Sequence, residues 1–331
     1  MARRRPDAGE PLSVWSEKDM LGGKAVDALV IILRSRGCCW SRKSGCLMCG
    51  YNRDSLGSVT PNDLVAQFEK AMAKHAGQPY IKIYTSGSFL DPGEIEPETR
   101  AAILKIAGEK AGKVLVESRP EFVSRPVLED MLGAVNELEV AVGLETADDG
   151  IRARSINKGF LFSNYERACS TAADMGASIR TYLLLKPPYL TERGSIDDAL
   201  VSIERAGKMS QSISVNPMNV QRGTVVEGLW KRNLYRPPWL WSLAEVLERG
   251  SGLTNARLMS APSGGGSKRG THNCGKCDDA ILKAIEAFSL EGDSAIFKGL
   301  GCGCRDRWLD YLDAEPFMGS AGDLGRLAAP K

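Results

Sequence analysis

The sequence predicts an α/β fold built on a parallel sheet. Three observations point there: apolar, β-branched runs of strand length recur, segments of helical period separate them, and the chain turns polar just after each strand. The strand-length runs lie at 28–33, 80–84, 113–116, 138–144, 178–185 and 212–215. Helical segments fall at 61–74, 97–109, 126–135, 163–175 and 195–206, with Thr60-Pro61 and Glu96-Pro97 placing proline in a first turn and Asp174-Met175-Gly176 closing another at glycine. Six strands joined through helices need right-handed crossovers, which give either a partial barrel or an open doubly wound sheet. In both, the carboxyl ends of the strands form one functional rim.

Residues 1–25 read as an N-terminal extension with a short helix around 16–21, residues 26–222 carry the repeating α/β rhythm, and 223–331 form a C-terminal aromatic and cysteine-bearing region. A chain of 331 residues that is 43% apolar can bury a sizeable core. Lys plus Arg number 43 against 41 Asp plus Glu, so overall charge does not argue for nucleic acid and an RNA footprint must be a local patch. Candidate patches are Arg3 to Arg5, the set Arg34, Arg36, Arg42 and Lys43, the pair Lys231-Arg232, and the pair Lys268-Arg269, although such groups are more often solvated faces. The start is basic and then polar, without the apolar stretch of a secretory signal, and the run 28–33 is far too short for a bilayer. The expectation is a cytoplasmic protein with no membrane contact, in a compartment where free thiols persist.

Four of the nine cysteines, Cys38, Cys39, Cys46 and Cys49, crowd the basic loop RSRGCCWSRKSGCLMCGY directly after the first strand. Thiolates bunched on one loop suit a single metal centre rather than disulfides that staple distant segments. Three ligands leave one coordination position open for something that must exchange. In a four-iron cluster, that position can take the amino and carboxylate groups of S-adenosylmethionine, and one electron then splits the sulfonium to give a carbon-centred radical. The usual spacing for this chemistry is Cys-x3-Cys-x2-Cys, and only Cys46-Leu47-Met48-Cys49 fits it here. The first ligand is Cys38, with seven residues between it and Cys46, or Cys39, with six; Gly37 and Gly45, each preceding a cysteine, favour Cys38. A structural zinc loop, or a cysteine-rich turn without metal, fits the same residues.

The other strand ends supply polar groups for the same mouth. Thr85-Ser86-Gly87-Ser88 follows the second strand, Glu117, Ser118 and Arg119 the third, Glu145 and Thr146 the fourth, Lys186 and two prolines the fifth, and Asn216, Asn219, Gln221 and Arg222 the sixth. Ser86, Gly87 and Ser88 can bring amides and hydroxyls against the methionine part of a nucleotide. Glu117 or Glu145 can accept from ribose hydroxyls or the methionine ammonium, while Arg119 holds a carboxylate bidentately and Lys186 does so as a point charge. Thr146, Asn216 and Gln221 complete the cofactor-binding candidates. No GxGxxG or GxxxxGK[ST] loop is present, and the two histidines, His75 in a helix tail and His272, form no histidine-based triad.

Beyond Arg222 the rhythm changes. Trp230, Tyr235, Trp239 and Trp241 crowd a stretch with two prolines; they can stack on unpaired bases beside the neighbouring cations, though such a cluster is more often core. A helix follows at 242–248, then a Gly-rich run, 260–270, expected to be a mobile loop. Cys274-Gly-Lys-Cys277 and Cys302-Gly-Cys304 flank a helix at 279–289, and four thiolates suit a closed tetrahedral Zn2+ site. His272 replacing one cysteine, or a second iron-sulfur cluster, remains open. Cys169, alone in a helix, reads as a buried thiol.

The motifs GCCWSRKSGCLMCGY, YTSGSFLD, VESRPE, VGLET, LLLKPPYLTE, NPMNVQRGT, RPPWLWS and HNCGKCD together resemble the radical S-adenosylmethionine superfamily, in the branch of the Elongator-type tRNA enzymes and, within it, the archaeosine synthase radical subunits. The resemblance covers nearly the whole sequence after the extension. It implies a partial (β/α)6 TIM-like barrel with a C-terminal zinc-binding extension, a [4Fe-4S] cluster on Cys38, Cys46 and Cys49, and S-adenosylmethionine as cofactor. It implies further that a partner subunit attaches lysine to a 7-deazaguanine in the tRNA D-loop, and that this protein, fed by an electron donor, acts as a lyase that breaks the C–N bond of the attached lysine to leave a formamidine. Glu117, Arg119 and Lys186 would then meet the ammonium and carboxylate of that lysine. Met48 departs from the aromatic residue usual before the last cysteine. Two other readings stand beside it: a radical tRNA methylthiotransferase, and a non-catalytic, zinc-bearing tRNA-binding scaffold.

Overall fold

The computed structural model describes residues 7–317. Eight strands form one sheet in the order β1 to β8. β1 (Ser13–Leu21) and β2 (Lys24–Ile32) form an antiparallel hairpin across Gly22 and Gly23, both at positive φ (56° and 76°), the conformation a two-residue hairpin turn requires. The helix expected at 16–21 is therefore a strand. Its polar residues Glu17 and Asp19 face Lys82, whose Nζ lies 2.6 Å from Glu17 and also pairs with the buried Asp19. That partner is remote in sequence, so the hairpin left no local signal.

After β2 come α1 (Cys39–Lys43) and α2 (Pro61–Met72), then β3 (Tyr80–Tyr84), α3 (Pro97–Gly108), β4 (Lys113–Ser118), α4 (Arg125–Leu132), β5 (Glu137–Glu145), α5 (Asp149–Ile151), α6 (Phe162–Met175) and β6 (Ser178–Leu185). Next are α7 (Glu192–Gly207), β7 (Ser212–Pro217), α8 (Val225–Lys231), α9 (Leu240–Gly250), β8 (Arg257–Met259), α10 (Asp278–Glu291) and α11 (Cys304–Ala314). The expected strands correspond to β2 through β7, with helices between them as the rhythm required. β2 to β5 pair in parallel, and so do β6 to β8. This is the partial TIM-like barrel, extended at its edges by β1 and β8. β8 escaped prediction because three residues are too few to show a period.

The protein divides into two compact units: Met1–Ser44, Tyr51–Gly143 and Asn164–Ile179 form one, and Gly45–Gly50, Leu144–Ser163 and Arg180–Lys331 the other. In the first, Ala28, Val30, Ile31, Ile81, Ile83, Val114, Leu115, Val116 and Val140 are wholly buried. Strands that lose both faces to helices are apolar throughout, which is why their runs stood out in the sequence. Thr60 opens α2 with a reciprocal capping box to Asp63, and Pro61 fills the first position. In the second unit α9 buries Leu240, Trp241, Leu243, Val246 and Leu247. The Gly-rich run, expected to be mobile, is a compact coil: Gly266 N–H donates to Thr271 O at 2.8 Å, and a Cβ on Gly270 would strike the Gly264 carbonyl. Arg3 to Arg5 lie outside the described residues, among which no helix is long and apolar enough to cross a membrane.

Candidate functional site

In the first unit, the backbone leaving β2 keeps its register for one more residue, Leu33 N–H donating to Tyr84 O at 2.9 Å. Gly37 then turns the backbone at φ 84°, where a Cβ would lie 2.5 Å from the Ser55 hydroxyl, so glycine is required on two counts. Cys38 follows, fixed as Ser41 Oγ donates to its carbonyl at 2.7 Å and Arg42 donates to the Gly37 carbonyl at 2.9 Å. The loop after β3 comes against it: a Cβ on Gly87 would stand 2.6 Å from Cys38 Cα and 2.9 Å from its Cβ.

Beneath this contact Glu94, 1% exposed, accepts from Ser88 N–H at 2.6 Å and from Ser35 Oγ, and burial raises its carboxyl pKa above the ordinary value. Ser88 Oγ accepts from Arg119 N–H at 2.8 Å, and Glu117 accepts from Thr85 N–H at 2.7 Å. The Arg119 side chain is held by Glu121 at 2.6 Å, with its guanidinium 5.5 Å from the centre of the Trp40 ring in α1. Cys39 takes another course: burial first, and then the adjoining Asp91 carboxylate, push its thiol up to about 11.

The second unit contains the other half of the cysteine loop. Leu47 N–H donates to Ile156 O at 2.9 Å, Asn157 Nδ2 to Gly45 O at 2.6 Å, and Cys49 N–H to Cys46 O at 3.2 Å, closing a turn around Cys46-Leu47-Met48-Cys49. Gly50 N–H donates to Gln221 Oε1 at 2.5 Å, and a Cβ on Gly50 would come within 2.9 Å of the Gln221 Cβ. Met48, at the position usually aromatic, packs on the apolar group of Met218, Val220, Val226 and Tyr235.

Two strand ends in this unit carry left-handed backbone on non-glycine residues, Glu145 at φ 69° and Lys186 at φ 61°. Such strain persists only where surroundings enforce it, and it gathers at functional sites. Glu145 pairs with Lys158, and Thr146, fully buried, donates its hydroxyl to Asp198 at 2.6 Å. Lys186, 2% exposed, sits 2.6 Å from Glu192 and 3.3 Å from Glu315. Asn216 accepts from Ser214 Oγ at 3.0 Å.

Ser88, Arg119, Thr146 and Lys186 are thus buried among partners from the protein itself, whereas Ser86, Gly87, Glu117, Glu145, Asn216 and Gln221 are half-buried. Cys38 in the first unit and Cys46 and Cys49 in the second present half-buried thiols, soft donors of the kind that iron takes. Sequence reading passed over Glu94 and Asp91, both in the FLDPGE run just after the TSGS loop, where closely spaced acids were a usable signal. It also passed over Glu192 and Glu315, for which no local pattern existed.

The C-terminal cysteines converge. Cys274 Sγ lies 3.9 Å from Cys277 Sγ and 3.7 Å from Cys302 Sγ, Cys277 and Cys304 are 3.5 Å apart, and all four sulfurs fall within 4.8 Å of one another. A tetrahedron with metal–sulfur bonds of about 2.3 Å has edges of about 3.8 Å, so this group is spaced for one metal ion. Trp241 Nε1 donates to Cys304 Sγ at 3.3 Å and Asn273 Nδ2 to Cys277 Sγ at 3.5 Å, the kind of supporting donors that metal thiolates recruit. Of the sequence aromatics, Tyr235 and Trp241 are core, while Trp230 and Trp239 are half-buried, with Arg269 and Arg236 over their rings.

No protein-family model matches the chain. Archaeosine synthase subunit beta of Methanosarcina acetivorans is 42% identical over 317 residues, spanning 93% of this chain and 91% of the relative. The subunit beta of Thermococcus kodakarensis is 39% identical over 312 residues, 91% of this chain and 96% of its own length. Among solved structures, the Elp3 protein of Methanocaldococcus infernus superposes with a TM-score of 0.51 at 16% identity, over 74% of this chain and 61% of that one, a likeness of fold. The chain belongs to the archaeosine synthase subunit beta family.

Proposed function

We propose that this protein is a radical S-adenosylmethionine lyase of tRNA maturation, which breaks the C–N bond of the lysine carried by a lysine-modified 7-deazaguanine to give archaeosine. The observation that carries the reading is the relationship to two archaeosine synthase beta subunits along nearly the whole length, in a fold whose first parallel strand delivers the cysteine loop. Cys38, Cys46 and Cys49 would hold a [4Fe-4S] cluster. Cys38 is preferred to Cys39 because Gly87 admits close approach to Cys38 while Asp91 engages Cys39. With S-adenosylmethionine bound, that cluster supplies a carbon-centred radical able to take hydrogen from an unactivated C–H, which acid–base chemistry cannot do.

The protein's own residues position and shield. Ser86, Gly87, Glu145, Asn216 and Gln221 line the strand ends where the cofactor would lie. Glu117, half-buried at the rim, would take the ammonium of the substrate lysine. Arg119, paired with Glu121, and Lys186, paired with Glu192, would each brace the end of its own strand. Residues 26–222 would form the catalytic barrel and 223–331 a metal-bearing extension, with Zn2+ on Cys274, Cys277, Cys302 and Cys304. A lysine-transferring subunit would supply the substrate tRNA and a separate donor the electron, both in the cytoplasm. Anaerobically reconstituted protein should contain about four irons per molecule and, when reduced, cleave S-adenosylmethionine to 5′-deoxyadenosine faster with lysine-modified tRNA. Zinc alone at the first loop, or no cleavage, would refute it.

A further inference from the structure

The second unit contains a cavity of about 640 Å³, within the range that takes a small ligand. Trp230 and Lys231 at the end of α8, Arg236 in the following loop, Lys268 in the Gly-rich coil and Tyr311 of α11 form its walls, with Lys186 beside them. Four cations, Lys186, Lys231, Arg236 and Lys268, line it against the single carboxylate of Glu315, with Glu192 behind Lys186. Glu227 adds a negative charge but is shared between Lys231 at 3.3 Å and Arg269 at 2.7 Å, and Asp278 acts on Arg236, so cations still outnumber carboxylates around the cavity by one.

The Lys231 side chain is 62% exposed, so its ammonium is open to an anion. The rings carry cations too: Arg269 lies 4.9 Å from the centre of Trp230, and Lys186 Nζ is 5.3 Å from that of Tyr311. A concave site that joins aromatic faces to surplus cations is what an unpaired nucleotide needs, stacking for the base and neutralisation for the phosphate.

We infer that this cavity receives an unpaired nucleotide of the substrate tRNA, its base against Trp230 and its phosphate between Lys231 and Lys268. The inference rests on the proposed tRNA-modifying function and adds where the RNA is gripped. Neither the barrel's cysteine loop nor the C-terminal thiolates contribute to the lining, so the site can be altered without touching a metal ligand.

Binding of an unmodified tRNA transcript to the full-length protein, followed by fluorescence anisotropy from 50 to 300 mM KCl, tests it. Lys231→Ala with Lys268→Ala should weaken binding tenfold or more and lower the slope of log affinity against log salt by about 1–2, and Trp230→Ala should cost roughly tenfold where Trp230→Phe keeps most of the affinity. Iron and zinc contents equal to wild type exclude misfolding. Unchanged affinity and slope, no binding by wild type, or AMP binding as tightly as tRNA would overturn the inference. Reductive cleavage of S-adenosylmethionine by wild type is scored separately. Weakened RNA binding without cleavage sinks the lyase and spares the cavity, and cleavage with unaltered RNA binding does the reverse.

Discussion

Gly87 and Cys38 approach so closely that a single added carbon on Gly87 would stand 2.6 Å from the Cys38 Cα. The loop after β3 and the start of the cysteine loop are one packed unit, with Glu94 bonded to Ser88 N–H beneath. Gly87→Ala has no flexible neighbour to displace on the Cys38 side, because the obstructing atom is backbone. We expect the variant to keep the barrel, since the far-ultraviolet spectrum depends on β2 to β7, yet to retain less than half the iron of wild type after reconstitution. Iron equal to wild type would show that the Cys38 segment does not position the cluster.

The two adjacent cysteines should behave differently. Cys39 is engaged by Asp91, whereas Gly87 lets the loop after β3 come against Cys38. Cys39→Ser should therefore keep its iron and its charge-transfer absorbance near 400 nm, whereas Cys38→Ser should lose most of both. The opposite order would move the first ligand by one residue.

Much of this was legible because the signals were local. β3 and β6 were expected at their observed bounds, since strands buried on both faces are apolar without interruption, and α2 and α3 begin at the prolines that announced them. The C-terminal thiolates were legible from spacing alone. What failed depended on which way a side chain turns, which no local pattern gives. The short helix expected around 16–21 is β1, where Glu17 and Asp19 meet Lys82 of β3. Ser88, Thr146 and Lys186 looked like ligand-facing groups at strand ends, but the Ser88 hydroxyl accepts from Arg119 N–H, and Asp198, Glu192 and Glu315 engage the other two. Polarity at a strand end marks a rim; it does not say whether the side chain turns to the ligand or into the wall.

Lys186 offers a direct test of that distinction. It is 2% exposed between Glu192 and Glu315, and Glu192 also accepts from Trp239 N–H at 2.7 Å and Ser242 Oγ at 2.5 Å. Lys186→Met would leave two buried carboxylates without their cation, which costs about 3–5 kcal/mol. The urea midpoint should fall accordingly. A variant of unchanged stability that had lost only substrate affinity would instead make Lys186 a ligand contact.

Asp198 gives a pH signature. Burial raises its carboxyl to about 6, above the ordinary value of about 3.9 in an unfolded protein. The folded state therefore favours the protonated form, so the group's contribution is full below about pH 4 and is lost as pH rises through 6. The shift corresponds to about 3 kcal/mol. Asp198→Asn keeps an acceptor for Thr146 Oγ1 and removes the charge, so it should be the more stable protein at pH 7.5 and should match wild type near pH 4. Urea titrations at both values check this, and a constant difference between the two proteins would rule out burial of the carboxylate as the cause.

The four C-terminal thiolates bind α10 and α11 to each other across a long interval of sequence, Cys277 lying at the start of one and Cys304 at the start of the other, 3.5 Å apart. Trp241 of α9 donates to Cys304, and Trp308 of α11 donates to Ser242 Oγ at 2.9 Å, so the four cysteines and two buried indoles form one cluster. Without metal, thiols and thiolates at these spacings repel or lose their bonds, and a structural site of this kind carries much of its region's folding energy. Chelation under reducing conditions, or Cys304→Ser, should remove one zinc per molecule, lower the melting temperature and shift tryptophan fluorescence to the red as Trp241 and Trp308 meet water. Iron on the first cysteine loop should stay, since no residue is shared. If chelation released iron in step with zinc, the C-terminal site would be a second cluster, and a methylthiotransferase-like arrangement would replace the lyase reading.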